Sequence, residues 1–319
     1  MIKVGVIRGG LSDEHGVSMK TGESVLNNLS DKYDVHDIVL GKDGDWVFNR
    51  QFSSPDKIFS SVDVVFNALH GYHGEDGKIQ HLLETFNVPY TGSGVLASAL
   101  GMNKSLSRVS FVKSGLLVPR GVTVASGESA VEAARKIFGS IQPGWVIKPA
   151  NGGSSIGVLI VKSFDDLVAA ITSVLETGSD ALVEERVAGR EFTCGVVENM
   201  RGQQHYGLPV VEIIPPEKND FFDYEAKYNG ESQEICPADL DIYTKQEIEK
   251  MAIAAHESLG CRHYSRSDFI LTPKGKIYLL EINTLPGLTS ESLLPKSLKS
   301  AGVAYSDFLD HLINLALKK

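Results

Sequence analysis

One lysine and the glycine-rich loop that follows it are the residues most suited to binding phosphate. Residues 146–158 read VIKPANGGSSIGV, so Lys148 ends an apolar segment and precedes a loop with Asn151, two glycines, Ser154 and Ser155. Closely spaced backbone N–H groups and hydroxyls suit an anionic phosphate, and the lysine adds positive charge. Because β-branched residues follow, the pattern predicts strand–loop–strand, unlike the strand–loop–helix of the common phosphate loops. The segment therefore indicates a nucleotide held between sheets.

Three oxygen-bearing side chains near the C terminus form a second candidate site. Asp268 and Glu281 lie in two strand-like segments joined by a TPKG turn, which predicts a hairpin. Glu281 and Asn283 are two apart, so their side chains share one face of an extended chain. Hard oxygen ligands of this kind suit Mg²⁺ bridging nucleotide phosphates. A solvated hairpin face is the alternative, but unpaired acids among so many leucines and isoleucines would be costly.

Four further residues are candidates for the same site. Arg266 shares the face of the first acid and could neutralise an oxyanion, although a lone arginine is usually a surface residue. A Pro-Gly turn that ends at Gly287 could present a backbone N–H to developing negative charge, although such turns are often only turns. Lys227 and Tyr228 lie in a polar, aromatic insertion at 215–233, which suits either a closing loop or a surface excursion.

The elements that must position these residues begin with an α/β pattern. Strands are predicted at 2–7, 35–40, 62–69 and 88–90, and helices at 18–29 and 79–86. This is a doubly wound parallel sheet, whose ligands bind beyond the carboxyl ends of the strands. Gly9-Gly10 and His70-Gly71 fall at those ends.

The rest of the chain reads as α+β. Helices are predicted at 93–114, 164–176 and 305–317, the last capped by Ser306, and strands at 191–197, 207–213, 267–271 and 276–282. The sequence thus predicts three domains, at residues 1–103, 104–186 and 187–319.

Composition narrows the class of protein. A net charge of -9 over 319 residues disfavours a nucleic-acid binder, which needs a basic face. Cys194, Cys236 and Cys261 show neither metal spacing nor a disulfide framework, which favours reduced thiols in a cytoplasmic protein. The sequence has no signal-peptide layout and no apolar run long enough to span a bilayer.

Seven segments spread over nearly the whole chain carry a family resemblance. They are residues 9–18, 70–80, 89–100, the Lys148 loop, 183–193, 224–228 and 281–287. Together, and in this order, they resemble the D-alanine–D-alanine ligase family of ATP-grasp enzymes. The resemblance implies an ATP-grasp fold preceded by a doubly wound N-terminal domain, and a cytoplasmic homodimer of peptidoglycan precursor synthesis. It implies that ATP phosphorylates the carboxylate of one D-alanine, and that the amine of a second D-alanine attacks the acyl phosphate.

The same resemblance implies which residues bind ATP and metal. The residues expected to contact ATP phosphates are Lys104, Lys148, Ser154, Ser155 and Lys227. Those expected to line the adenine and ribose pocket are Glu184, Arg186, Val187 and Glu191. Those expected to hold two Mg²⁺ or Mn²⁺ ions are Asp268, Glu281 and Asn283.

Substrate-binding and catalytic residues follow in the same way. Glu14 would bind the ammonium group of the first D-alanine, in a triad with Ser154 and Tyr228, and His70 would lie near this substrate. The oxyanion site would comprise Arg266 and the N–H of Gly287. The second substrate would contact Ser292, through its carboxylate, and Leu293.

The chain departs from the family pattern at a few positions. Asn103 stands where aspartate is common, Gly16 replaces a frequent acid, and Ser265 and Ser267 flank Arg266 where small apolar residues are usual. None of these changes removes a predicted ligand.

Three alternatives remain open on sequence alone. A related ATP-grasp ligase would make D-Ala–D-Lac, D-Ala–D-Ser or another dipeptide, although the intact segment 224–228 favours D-alanine as acceptor. A nucleotide-binding protein without activity would have no need of Arg266 beside the acids. An NAD-dependent dehydrogenase is disfavoured because no G-x-G-x-x-G follows the first strand.

Overall fold

The N-terminal third forms a mixed sheet with helices packed against it. A computed structural model describes residues 1–153, 157–215 and 233–318. The first elements are β1 (Ile2–Gly9), α1 (His15–Asn28), β2 (Tyr33–Leu40), β3 (Trp46–Phe48), β4 (Gln51–Phe52), α2 (Pro55–Phe59), β5 (Val64–Asn67) and α3 (Lys78–Thr85). The strand order is β4-β3-β2-β1-β5, and β1 pairs in parallel with both β2 and β5. The predicted parallel pairing of the strands β2, β1 and β5 is therefore confirmed.

The edge of this sheet differs from the prediction. β3 and β4 add an antiparallel hairpin that the sequence did not reveal. Its two turn residues, Asn49 and Arg50, both have positive φ, as a type I′ turn requires. Because the turn contains no glycine, its usual sequence signal is missing. The predicted strand at 88–90 is reduced to one bridge between Val65 and Tyr90.

The helix predicted at 93–114 is divided into two. α4 (Val95–Met102) ends at Asn103, which is extended with φ -98° and ψ 102°, and α5 (Lys104–Lys113) begins directly after it. The Asn103 side chain accepts a hydrogen bond from the N–H of Leu106 at 2.9 Å. This N-cap satisfies a donor that the helix cannot, which explains the break. It also places Lys104 at the first residue of α5.

The second sheet is small and antiparallel. Its elements are β6 (Gly121–Val124), α6 (Ala130–Phe138), β7 (Trp145–Pro149), β8 (Leu159–Val161), α7 (Phe164–Glu176) and β9 (Ala181–Glu185). The strand order is β6-β9-β7-β8. α6 and α7 cover one face, where Trp145 and Ile147 are fully buried. The strand–loop–strand arrangement around Lys148 and the helix at 164–176 are both confirmed.

The third sheet supplies the opposite wall of the site. Its elements are β10 (Arg190–Met200), β11 (Gln203–Gly207), β12 (Val211–Ile214), β13 (Gln233–Ile235), α8 (Ile242–Leu259), β14 (Tyr264–Leu271), β15 (Ile277–Asn283), α9 (Leu293–Ser300) and α10 (Tyr305–Leu317). The order is β13-β12-β10-β14-β15, with β11 paired to β10. The strand predicted at 207–213 is two strands, because Pro209 between them has no N–H to donate.

The C-terminal elements agree with the prediction apart from one cap. β14 and β15 form the predicted antiparallel hairpin, and α10 has the predicted bounds. Ser306 is not its cap: the helix begins at Tyr305, so Ala304 is the N-cap and Ser306 lies in the first turn. The domain limits after residues 103 and 186 remain predictions. Within the described ranges, no helix combines the length and apolar character needed to cross a membrane.

Candidate active site

A cavity of about 310 Å³ lies between the second and third sheets. Val146 and Ile160 from β7 and β8 line one side, and Ile213 and Ile270 from β12 and β14 line the other. Apolar side chains on two facing sheets make a slot that suits a flat heteroaromatic ring. The position agrees with the prediction of a nucleotide held between sheets.

Most residues predicted to bind ATP line this one cavity. They are Lys104, Lys148, Glu184, Arg186, Val187 and Glu191. The acids Asp268 and Glu281 line it as well. Ser154, Ser155, Lys227 and Tyr228 lie outside the described residues, so their predicted roles stay predictions. The structure thus brings together residues that are separated widely in the sequence.

The buried carboxylate of Glu184 holds two cations at the floor of the cavity. Glu184 is 2% exposed, and its Oε2 lies 2.6 Å from Lys148 Nζ. Its other oxygen accepts from the guanidinium of Arg108. Charge-assisted bonds on both oxygens offset the cost of burying the carboxylate and fix the lysine in place. Arg108 was missed by sequence reasoning, although it follows Lys104 by four residues on α5 and so shares its face.

Lys104 is fixed against the glycine-rich loop. Its Nζ donates to the carbonyl oxygen of Gly152 at 2.5 Å and lies 3.5 Å from Glu281 Oε2. The backbone N–H of Lys104 donates to Ala150 at 2.8 Å. Asn103 adds a side-chain bond from its Nδ2 to Asn151 Oδ1 at 2.9 Å. The start of α5 and the glycine-rich loop are therefore connected by several hydrogen bonds.

The acidic residues face each other across the β14–β15 hairpin. Asp268 pairs in register with Glu281, and Arg266 pairs with Asn283. The register shifts between Asp268 and Phe269, which leaves Leu280 on β15 as an extra residue, and a bulge of this kind often re-aims side chains next to active sites. Asp268 Oδ1 accepts from Thr193 Oγ1 at 2.6 Å and from Arg266 Nε at 3.1 Å.

This donor set fits a hard divalent cation. Asp268 and Glu281 supply carboxylates, and Asn283 supplies an amide oxygen that also accepts from the N–H of Leu285 at 2.9 Å. Both carboxylates already face positive side chains, Arg266 and Lys104. Oxygen donors clustered in a field that attracts positive charge are what Mg²⁺ or Mn²⁺ requires.

The residues predicted to bind the first substrate lie where the loops after β1 and β5 meet, at the carboxyl ends of the parallel strands. Ser12 Oγ donates to the carbonyl oxygen of His70 at 2.7 Å. The His70 ring is buried, with Nε2 2.9 Å from Thr21 Oγ1 and Nδ1 3.4 Å from Glu75 Oε1. Both ring nitrogens thus have partners within the chain, which suits a role in shaping this corner.

Two glycines leave room for the Glu14 carboxylate. A Cβ at Gly71, whose φ is +70°, would lie 2.6 Å from Glu14 Oε2, and a Cβ at Gly153 would lie 3.5 Å from the same atom. A side chain at residue 71 would displace the Glu14 carboxylate, and the positive φ of this residue also favours glycine. The close approach of Gly153 places Glu14 next to the glycine-rich loop.

The loop after β15 is compact and anchored. A Cβ on Gly287 would lie 3.0 Å from Ser292 Oγ, which accepts from the N–H of Thr289 at 3.2 Å. Tyr305 in α10 donates its hydroxyl to the carbonyl of Leu288 at 2.7 Å. The side chain of Leu293 is buried against Val211 and Ile213, so only its backbone is suited to contact a ligand.

Two of the three cysteines, Cys194 and Cys261, are buried. Burial raises the pKa of the Cys261 thiol to about 12 and raises that of Cys194 further still. Both thiols are therefore neutral at physiological pH, and neither is an activated nucleophile. The third cysteine, Cys236, is partly buried and unbridged.

Comparisons with known proteins identify the family. The description "D-ala D-ala ligase C-terminus" matches residues 113–314, and "D-ala D-ala ligase N-terminus" matches residues 3–58 and 51–93. The chain is 40% identical over 314 residues to the D-alanine–D-alanine ligase of Geobacter sulfurreducens, covering 98% of this chain and 93% of that protein. It is 41% identical over 320 residues to the D-alanine–D-alanine ligase of Syntrophobacter fumaroxidans, covering 99% and 98%.

Solved structures agree with the sequence matches. The VanG D-Ala:D-Ser ligase of Enterococcus faecalis superposes with a TM-score of 0.86 at 30% identity, covering 99% of each chain. The D-alanine–D-alanine ligase of Bacillus anthracis, complexed with ATP, superposes with a TM-score of 0.82 at 31% identity, covering 100% of this chain and 98% of that one. The sequence matches, the fold and the residues that line the cleft agree. This chain belongs to the D-alanine–D-alanine ligase family, within the ATP-grasp fold.

Proposed function

We propose that this protein joins two molecules of D-alanine to D-alanyl-D-alanine, with conversion of ATP to ADP and phosphate, for peptidoglycan precursor synthesis. One observation carries the proposal. Lys104 and Lys148 line the same cavity as Asp268 and Glu281, beneath walls that suit an adenine ring. Cations and metal-binding acids on several sides of one space are what phosphoryl transfer needs.

The first step activates a carboxylate. A carboxylate oxygen of the first D-alanine attacks the γ-phosphorus of ATP, the bond to the β-phosphate oxygen breaks, and ADP leaves. Lys104 and Lys148, which the carboxylates of Glu281 and Glu184 hold in place, exchange part of these contacts for phosphate oxygens. Two Mg²⁺ or Mn²⁺ ions held by Asp268, Glu281 and Asn283 would supply further neutralisation of phosphate charge.

The second step forms the peptide bond. The amine of the second D-alanine attacks the acyl carbon and loses a proton, and phosphate leaves with the oxygen that came from the carboxylate. Arg266 and the backbone N–H of Gly287 are proposed to stabilise the negative charge that develops on the carbonyl oxygen. Thr193 holds Asp268, and Asp268 holds Arg266, so the guanidinium is positioned before the substrates arrive.

The substrates are proposed to bind on the N-terminal side of the cleft. Glu14 accepts the ammonium group of the first D-alanine, with Ser154 and Tyr228 completing the triad and His70 shaping the corner. Ser292 binds the carboxylate of the second D-alanine, aided by the backbone of Leu293. Lys227 and its loop are proposed to close over the phosphates and exclude water, which would otherwise hydrolyse the acyl phosphate.

The proposal extends to the oligomeric state and the cellular location of the enzyme. It acts as a homodimer in the cytoplasm, where ATP is supplied, and both statements come from the family resemblance. Sedimentation of the purified chain tests the first, and fractionation of cells tests the second.

A product analysis tests the proposed reaction. Phosphate release is measured with ATP, Mg²⁺ and D-alanine, L-alanine, or D-alanine with D-serine or D-lactate, and products are identified by mass. We expect phosphate release matched by D-alanyl-D-alanine, with none from L-alanine. Because VanG, a D-Ala:D-Ser ligase, has the same fold, D-serine is the sharpest competitor. A mixed product formed in preference would overturn the assignment of the second substrate.

A pair of variants on one helix ties that activity to the cleft. Lys104→Met removes the cation that contacts the phosphate loop, whereas Lys113→Met removes an exposed cation at the other end of α5. Loss of about 10²-fold or more in kcat/KM is expected for the first and less than about 2-fold for the second. Equal losses of kcat/KM in the two variants would contradict the assignment of the activity to the cleft.

A further inference from the structure

The opposite face of the third sheet carries three side chains of types that can hold a metal ion, which we call the histidine cluster: Glu198, His205 and His256. One ligand atom from each lies within 4.8 Å of the other two. Glu198 Oε1 is 3.8 Å from His205 Nε2 and 3.7 Å from His256 Nε2. These distances are longer than hydrogen bonds, yet close to the roughly 3.3 Å between ligands around tetrahedral zinc.

The fold places the cluster away from the nucleotide cleft. Glu198 and His205 are directly opposite each other on β10 and β11, so they share one face of the sheet. His256 lies in the last turn of α8, which packs on that face. Thr193 on β10, which contacts Asp268 in the cleft, is an odd number of residues from Glu198 and so points the other way.

One atom in the cluster lacks a partner. His256 is 0% exposed, and its Nε2 has no hydrogen-bond partner among the residues that the structure describes. A buried polar atom without a partner carries a desolvation cost, and so requires an explanation. The atom points at Glu198 Oε1 across a gap of 3.7 Å. A metal ion between them would give it a ligand bond.

Each member of the cluster is also oriented by a second contact. His256 Nδ1 is bonded to Ser265 Oγ at 2.8 Å, and His205 Nδ1 lies 2.8 Å from Glu257 Oε1. Glu198 Oε2 accepts from the backbone N–H of His263 at 2.6 Å, which leaves Oε1 facing the two rings. Such outer contacts fix the tautomer of a ligating histidine and are a regular feature of zinc sites.

We propose that Glu198, His205 and His256 form a binding site for a divalent transition-metal ion, represented by Zn²⁺. Two imidazole nitrogens and one carboxylate suit zinc and its first-row neighbours, and disfavour Mg²⁺ or Ca²⁺, which prefer oxygen ligands. The Glu198 and His205 side chains are 19% and 13% exposed, so an ion can enter and a water can complete its coordination. The bound ion clips the β10–β11 hairpin to α8, which is a structural role distinct from the chemistry of the cleft.

Zinc titration of the full chain tests the proposal. The purified protein is stripped with a chelator, placed in excess Mg²⁺ to occupy oxygen ligands in the cleft, and titrated calorimetrically with Zn²⁺. We expect one equivalent of Zn²⁺ per chain, with affinity at least about 100-fold lower in His205→Gln and His256→Gln. The matched control is His81→Gln, an exposed histidine on α3, which should bind zinc like the parent. Binding that survives both cluster substitutions, or that is lost in Asp268→Asn, would overturn the assignment.

Two readouts separate ligation from a structural role of the histidines. X-ray absorption at the zinc edge should show two imidazole nitrogens at about 2.0–2.1 Å. Zinc at 100-fold excess over its Kd should raise the Tm of the parent by about 5 °C and leave that of His205→Gln unchanged. If His256→Gln does not fold, His205→Gln decides alone, because its ring is partly exposed. A zinc spectrum without imidazole, or an equal Tm rise in His205→Gln, contradicts the proposal.

Discussion

The nucleotide cleft and the histidine cluster lie on opposite faces of the third sheet and share the strand β10, but they hold their polar groups in opposite ways. In the cleft every predicted metal-binding acid already faces a positive side chain: Asp268 faces Arg266, and Glu281 faces Lys104. In the cluster, two imidazoles and one carboxylate face one another, and no lysine or arginine joins them among the described contacts.

This difference in pairing shows how the charged groups of each site are stabilised before a ligand binds. Ion pairs in the cleft satisfy its charged groups without ligand, and in the proposed mechanism the same groups exchange partners with phosphate and metal. The cluster instead leaves His256 Nε2 without a hydrogen-bond partner in the described structure. We therefore expect substitutions in the cleft to alter both stability and catalysis, and substitutions in the cluster to act through metal affinity.

The largest expected effect comes from Glu184, the buried carboxylate of the cleft. Glu184→Gln leaves Lys148 and Arg108 without their shared counter-ion, and should lower the free energy of unfolding by about 3–5 kcal/mol. Chemical denaturation measures the loss. Glu185, the residue after Glu184, is the control, because the side chain of its partner Arg120 is 69% exposed. Glu185→Gln should therefore lower the free energy of unfolding by less than about 1 kcal/mol. Equal costs would contradict the account of the cleft as a pre-paired site.

The next effect separates catalysis from zinc binding. Asp268→Asn weakens both the metal site and the contact that positions Arg266, and should lower kcat about 10²–10³-fold. Zinc affinity of the histidine cluster should stay the same, because the two groups lie on opposite faces of the sheet. Steady-state kinetics and calorimetry on one preparation check both. Asp307→Asn removes an exposed acid on α10 and should change neither kcat nor zinc affinity. A loss of zinc affinity in Asp268→Asn would contradict the separation of the two sites.

A smaller effect is expected at Ser265, one of the departures from the family pattern. Its hydroxyl orients His256 at 2.8 Å, so Ser265→Ala should weaken zinc binding about 10–100-fold and leave the KM for ATP unchanged. Ser258→Ala on α8 is the matched control, since among the described residues its hydroxyl donates to the helix carbonyl of Ala255. An altered KM with unaltered zinc affinity would reverse the roles assigned to the two faces.

The smallest effect is expected where α5 contacts the glycine-rich loop. Asn103→Ala removes the helix cap and should cost about 1 kcal/mol of stability. Asn103→Asp keeps an acceptor for the N–H of Leu106, and the amide of Asn151 can turn to donate to it, so the loss should be less than about 0.5 kcal/mol. Thermal unfolding compares the two. Equal destabilisation by both would contradict the account, because Asn103→Asp keeps the helix cap that Asn103→Ala removes.

The two regions also differ in how much of them the sequence reveals. Glu281 and Asn283 share a strand face because they are two residues apart, and a clear turn joins them to Asp268. Such local periodicity predicts a shared position without knowledge of the fold. The strand–loop–strand segment of Lys148 was equally readable.

The histidine cluster had no such signal. His205 is brought beside Glu198 by a hairpin, and His256 arrives from a helix that the sequence analysis did not predict. Non-local contacts of this kind depend on the strand register and on helix packing, and no short pattern encodes them. Arg108 was in principle detectable, because its spacing from Lys104 is that of one helix face.

The central claim is that the cleft transfers phosphate to the carboxylate of D-alanine. D-alanine labelled with ¹⁸O in its carboxylate tests it most directly, with the released phosphate analysed by mass spectrometry. An acyl phosphate intermediate predicts one ¹⁸O atom in each phosphate that accompanies a dipeptide, because the carboxylate oxygen leaves with phosphorus. Phosphate without label would contradict the account, since it would mean that ATP is hydrolysed by water and the carboxylate is never phosphorylated.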